Sequence, residues 1–182
     1  MSSLVVTLIG PDRPGVVRAL SDIAAAHNAN WSDSVMANFA GQFAGIVHLQ
    51  VATDQLAALK TALGAINSDD LQILVAVADG TRASPAARRL HLKLVGHDRP
   101  GIIHSISTRL AGQGVSIDTM KTQIASGAMS GEAMFHLDAQ LTVPQELDTD
   151  ALRDALESMA NELMVDITFD SGADAPAKTP AR

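Results

Sequence analysis

Two short strand-like runs, Leu4 to Ile9 and Leu90 to Val95, each end at a glycine, and beyond it apolar residues recur at helical spacing. In the first case these are Val16, Val17, Leu20 and Ile23, and in the second Ile102, Ile103, Ile106 and Leu110. Runs of this length and make-up suit strands, while spacings of three and four put the groups on one helical face. Strand followed by helix is therefore expected twice.

The two stretches are copies of each other. Gly10-Pro11-Asp12-Arg13-Pro14-Gly15 recurs as Gly96-His97-Asp98-Arg99-Pro100-Gly101, matching at five of six positions with an offset of 86 residues. Repetition in the same strand-to-helix context points to duplicated domains. A second strand begins near Ala29 and near Val115, and a third contains Ile46-Val47-His48-Leu49 or Met134-Phe135-His136-Leu137. That alignment puts the offset at 88, with two residues inserted in the hairpin of the second copy and His48 matched to His136. A second helix carries Leu56, Leu59, Leu63 and Ile66, with Leu152, Leu156, Met159 and Leu163 as counterparts, and closing strands follow at Leu71 to Val77 and Met164 to Phe169.

The expected fold class is α+β, two ferredoxin-like βαββαβ domains in tandem, each an antiparallel sheet with both helices on one face. The domains are expected at residues 1–79 and 89–170, joined by a small, polar, Pro-containing linker over 80–88 and followed by a disordered tail over 171–182. Leu71 to Val77 is apolar on both of its faces, which suggests cover on the side away from the helices or an adjoining domain.

Composition narrows the function. Of 182 residues, 47% are hydrophobic, enough for a sizeable core. A formal net charge of −7, with no dense cluster of Lys and Arg, argues against direct nucleic-acid binding. The absence of Cys excludes disulfides, thiolate nucleophiles and Cys-ligated zinc. No apolar run reaches the length of a membrane span, and Met1-Ser2-Ser3-Leu4 has no basic leader, so a cytoplasmic protein without membrane association is expected.

The repeated loop carries the candidate chemistry. Pro14 and Pro100 suit a first helical turn, and Gly15 and Gly101 remove a side chain where another group must come close. Unsatisfied backbone N–H groups at the positive end of a helix dipole accept a carboxylate. Asp12 and Asp98 beside them could take an ammonium group, so the loop suits an amino-acid zwitterion. Equally, Asp12 and Asp98 could cap the helix N–H groups and bind nothing.

The strand–Gly-x-Asp-Arg-Pro-Gly–helix unit, followed by Ala29-Asn30-Trp31 or Val115-Ser116-Ile117, resembles the ACT domain. Two such domains with nothing else attached resemble the glycine cleavage system transcriptional repressor family. The resemblance implies ligands at domain–domain interfaces, held by Asp12, Gly15 and Asn30 in the first copy and by Asp98, Gly101 and Ser116 in the second. Ser116 stands where the family pattern has Asn, and Trp31 where it has a small aliphatic residue. Also implied are a small amino acid as ligand (glycine or similar), a protein partner such as a transcriptional activator, and assembly into a homo-oligomer.

Nothing in the sequence points to catalysis, a cofactor or a metal. The histidines make no His-Glu-x-x-His pattern, and His97 and His104, seven apart, are better read as surface or ligand-proximal groups. His48 and His136 read as structural, with interface pH sensing as the sharper option. Met120, Met129 and Met134 read as core filling. The leading expectation is a regulator acting indirectly on transcription in glycine or one-carbon metabolism. A detached regulatory subunit of a metabolic enzyme and a constitutive dimerisation module are the alternatives.

Overall fold

The computed structural model describes residues 1–78, 87–127 and 131–171. Most of the expected linker, nearly all of the expected tail, and Met129 lie outside these. The chain divides into two compact units, Met1–Arg82 and Ala83–Arg182.

Unit 1 runs β1 (Ser2–Pro11), α1 (Val16–Ala26), β2 (Asn30–Phe39), β3 (Gln42–Val51), α2 (Leu56–Ala65) and β4 (Gln72–Ala78). Unit 2 repeats the order with β5 (Arg88–His97), α3 (Ile102–Gly112), β6 (Ser116–Ser126), β7 (Ala133–Val143), α4 (Thr149–Leu163) and β8 (Val165–Ser171). The sheets have strand orders β2-β3-β1-β4 and β6-β7-β5-β8, with every neighbouring pair antiparallel. This is the expected ferredoxin-like α+β arrangement, twice.

Alternation decides which side of each sheet is filled. Leu4, Val6 and Leu8 of β1 and Val47, Leu49 and Val51 of β3 are buried beneath Leu20 of α1 and Leu59 and Leu63 of α2. Leu90, Leu92 and Leu94 of β5 are covered in the same way by Ile106 and Leu110 of α3 and Leu152 and Leu156 of α4. Each fully buried side chain of this size contributes about 1.5–3 kcal/mol, so two separate cores hold two separate units. Among the described residues, no buried polar or charged residue interrupts either core.

The register corrects the expected alignment of the repeats. Asn30 pairs with Gln50, and Ser116 pairs with Thr142. The offset is thus 86 on β2 and β6 but 92 on β3 and β7, which makes the hairpin insertion six residues long. His48 pairs with Val5, and Gln140 with His91, so Gln140 is the true counterpart of His48. His136, opposite Val95, matches Ala44 instead. The first hairpin is tight because Ala40 and Gly41 both take positive φ (50° and 81°), the conformation that a two-residue turn between twisted strands requires.

Met120 is also corrected. It lies on the edge strand β6, 47% exposed and outside the core. On β4, Ile73 turns inward and is buried while Leu74 turns outward and is exposed, so the helices of its own unit cover one side of the strand only.

Candidate functional site

Both Asp-Arg-Pro-Gly segments link a central strand to a helix. The helices start on Gly15 (φ 100°, ψ −7°) and Gly101 (φ 96°, ψ −8°), and neither start has a side-chain cap. Asp12 and Asp98 therefore do not cap these helices. The contrast is α4, where the Asp148 carboxylate accepts from the N–H of Asp150 at 2.9 Å and of Ala151 at 3.5 Å. Pro14 and Pro100 stand just ahead of the helices, not within their first turns.

Gly15 and Gly101 owe their place to backbone conformation. A Cβ on either would meet nothing within 4 Å, but its φ lies where L side chains rarely go. Close approach occurs at the motif's first glycine. A Cβ on Gly10 would lie 2.5 Å from the carbonyl oxygen of Asp70, and one on Gly96 would collide with the Val165 side chain. These two positions went unread in the sequence because Asp70 and Leu71, just ahead of β4, and Val165 of β8, which press on them, arrive from far along the chain.

The loops are tied down by backbone hydrogen bonds. The Asp12 N–H donates to Gly41 O and the Asp98 N–H to Ala133 O, both at 2.9 Å. In each helix the first intrahelical bond runs from Ala19 N–H to Gly15 O, or from Ser105 N–H to Gly101 O. The N–H groups of the preceding three residues have no intrahelical acceptor, and the helix dipole adds partial positive charge there. An oxyanion is the chemical complement of such a start.

The two loops differ in their side chains. Asn38 Nδ2 donates to the Asp12 carboxylate at 2.5 Å, whereas Ile124 occupies the matching place in unit 2. Among the described residues, nothing hydrogen-bonds the Asp98 carboxylate. Arg99 reaches the carbonyl of Glu162 at 3.5 Å, and His97 meets Glu132 at 3.4 Å. Asp98 is thus the freer acceptor for a ligand ammonium group.

Asn30 and Ser116 open β2 and β6 and are exposed. A bulge follows each, between Trp31 and Asp33 and between Ile117 and Thr119. Ser32, in the first bulge, has a buried Oγ without a hydrogen-bond partner among the described residues. A buried unsatisfied hydroxyl is uncommon, which makes Ser32 a further candidate contact. Its equivalent Asp118 instead accepts from Thr142 Oγ1 at 2.6 Å. Sequence reasoning missed Ser32 because the bulge that buries it has no local signature.

The structure groups Asp12 with Gly15, and Asp98 with Gly101, but it keeps Asn30 and Ser116 apart from the loops of their own units. Asn30 reaches β1 through Gln50 at Ser3, while Asp12 follows Pro11 at the other end of that strand. One small ligand cannot touch both within a unit. Among the described residues, no group of three or more His, Cys, Asp or Glu is placed to hold a metal ion. No described helix is long and apolar enough to cross a membrane.

Residues 2–77 and 88–170 each match the ACT domain family. A protein of unknown role from Galdieria sulphuraria has a similar structure, with a TM-score of 0.79 and 28% identity over 94% of this chain and 99% of its own. A candidate glycine cleavage system transcriptional repressor superposes with a TM-score of 0.67 over 93% of this chain and 96% of its own. At 17% identity, that likeness is one of fold. A UPF0237 protein of Methanopyrus kandleri is 54% identical over 33 residues, 18% of this chain. The chain spans only 37% of that relative's length.

Proposed function

Because the chain belongs to the ACT-domain family in both of its units, a regulatory and amino-acid-sensing fold, we propose that it binds a small amino acid and relays its presence to a protein partner. The observation that carries this reading is the pair of helix starts at Gly15 and Gly101, left without a side-chain cap while Asp12 and Asp98 stand beside them. The ligand carboxylate would take the free N–H groups and its ammonium group the neighbouring aspartate. Asn30 or Ser116 of another copy would complete the pocket, since the loop's own unit holds that residue at its far end.

Glycine or a similarly small amino acid is the proposed ligand, and control of glycine cleavage the proposed setting. The fold shared with the candidate repressor supports that setting. With a net charge of −7, the chain is unsuited to hold DNA directly, so control would pass through a protein such as a transcriptional activator. The protein would act by binding and not by catalysis. Ligand would favour one packing of the units over another, with a coupling of about 1–3 kcal/mol between ligand and partner.

A thermal-shift screen of all twenty amino acids tests the proposal, because binding to the folded state must stabilise it. At 100 times Kd the gain is about 2.7 kcal/mol. Titration calorimetry on the hits should give a Kd that worsens in Asp12→Ala and Asp98→Ala. No response to any amino acid would remove the sensing role.

A further inference from the structure

The outer faces of the two sheets, away from the helices, have opposite character although the folds match position for position. In unit 1 the central row across all four strands is Val35, Ile46, Thr7 and Leu74. Val35 is 70% exposed, Ile46 53% and Leu74 73%. Ile9 and Phe39, on the same side of the sheet, are exposed as well. In unit 2 the matching row is Lys121, Asp138, Lys93 and Thr168. That second row is the ordinary solvated face of an antiparallel sheet. A row whose Val35, Ile46 and Leu74 are apolar and exposed, with Thr7 between Ile46 and Leu74, marks an interaction site instead.

We infer that the outer face of the first sheet docks against the same face of a second copy of this chain. The occupant must offer an apolar surface of similar extent, because charges opposite Val35, Ile46 and Leu74 would lose their hydration without gaining partners. The outer face of the second sheet is of the other kind, with Lys121, Asp138 and Lys93 on its corresponding row. The first sheet's outer face on another copy does serve. A two-fold axis near the Thr7–Ile46 pair lays the apolar row over itself, the self-complementary contact of a symmetric dimer. Two sheets packed face to face lie about 10 Å apart and interdigitate their side chains.

The extent fits. Four strands about 4.8 Å apart, three of them ten residues long and β4 seven, at about 3.4 Å per residue give a face of at most roughly 19 by 34 Å. That is on the order of 650 Å² before side-chain relief, near the roughly 800 Å² per partner of a specific interface. Asp33 and His48 in the row beside Ile46, Ser3 and Gln50 beyond them, and Gln42 and Gln72 on the other side frame the apolar centre with polar groups, as interface rims do. The dimer gives a surface to the self-association included in the ligand reading, yet it needs no ligand.

Sedimentation equilibrium of the full chain tests it. The wild type should run at twice its 19.0 kDa chain mass. Ile46→Asp should raise the dimer dissociation constant at least about 100-fold, since it buries an unpaired charge. Its far-UV circular dichroism should be unchanged. Should Ile46→Asp fail to fold, the near-isosteric double variant Val35→Thr/Ile46→Thr decides, because Thr suits an exposed strand position. Lys93→Thr, on the matching face of unit 2, should leave the dimer intact. A monomeric wild type at about 100 μM, a dimer that persists in the folded face variants, or dissociation caused by Lys93→Thr would each overturn the inference. Amino-acid binding is read by calorimetry on the same samples, so the two proposals can fail separately.

Discussion

Asp12 and Asn30 stand at opposite ends of the first sheet, one after Pro11 at the end of β1 and the other level with Ser3 near its start. Eight strand positions at about 3.4 Å each set them close to 30 Å apart. A pocket that uses both kinds of residue therefore cannot be built within one unit. In the free protein the effects of Asp12→Ala and Asn30→Ala on stability should add within about 0.5 kcal/mol. Their effects on amino-acid affinity should instead couple by about 0.5–3 kcal/mol, as groups touching one ligand do. A double-mutant cycle run by calorimetry and by urea unfolding checks both halves.

Gly15→Ala should destabilise unit 1 by about 1–3 kcal/mol, because alanine is strained at a φ of 100° even with open space around its Cβ. Gly101→Ala should do the same to unit 2. Urea melts followed by circular dichroism would reveal it. A neutral result would mean that the loop has another conformation available at no cost.

Gly96→Ala makes a different kind of damage at the neighbouring motif position. Its new methyl group runs into the Val165 side chain, so Gly96→Ala/Val165→Ala should recover part of the lost stability. Gly101→Ala/Val165→Ala should recover none, since the trouble at Gly101 lies in the backbone.

Ser32→Ala separates a structural role from a ligand role. With no partner for its buried hydroxyl, the substitution should leave stability unchanged or raise it. If the hydroxyl reaches a ligand at the start of β2, amino-acid affinity falls about tenfold in the same protein. Calorimetry beside a thermal melt measures the two effects.

Asp148→Ala removes the side-chain cap that α4 has and the two loop helices lack. A loss of about 0.5–2 kcal/mol in unit 2 is expected, with amino-acid binding unaltered. Hydrogen exchange at the Asp150 and Ala151 amides should speed up first.

Much of this molecule was legible along the chain. The strand-like run Leu4 to Ile9, helical spacing in Val16 to Ile23, and the Asp-Arg-Pro-Gly repeat all depend on neighbours a few residues away, and they led to element order, fold class and the position of both loops. The hairpin offset was not legible in the same way. Matching His48 to His136 satisfied a local likeness, but hydrogen-bond register, set by β1 and β5, pairs His48 with Val5 and His136 with Val95.

Other features were out of reach because they arise only when distant segments meet. Gly10 and Gly96 are required by segments that lie some sixty residues or more further on, and the Ser32 hydroxyl is buried by a bulge in the pairing of two strands. Local pattern also left open whether Asp12 and Asp98 cap a helix; the left-handed turn at Gly15 and Gly101 answers that, because it starts each helix on a residue with no side chain. Short-range periodicity was enough to specify which elements form. Which side chains stand together and which apolar row is left facing water depended on long-range strand pairing, which no stretch of the chain encodes alone.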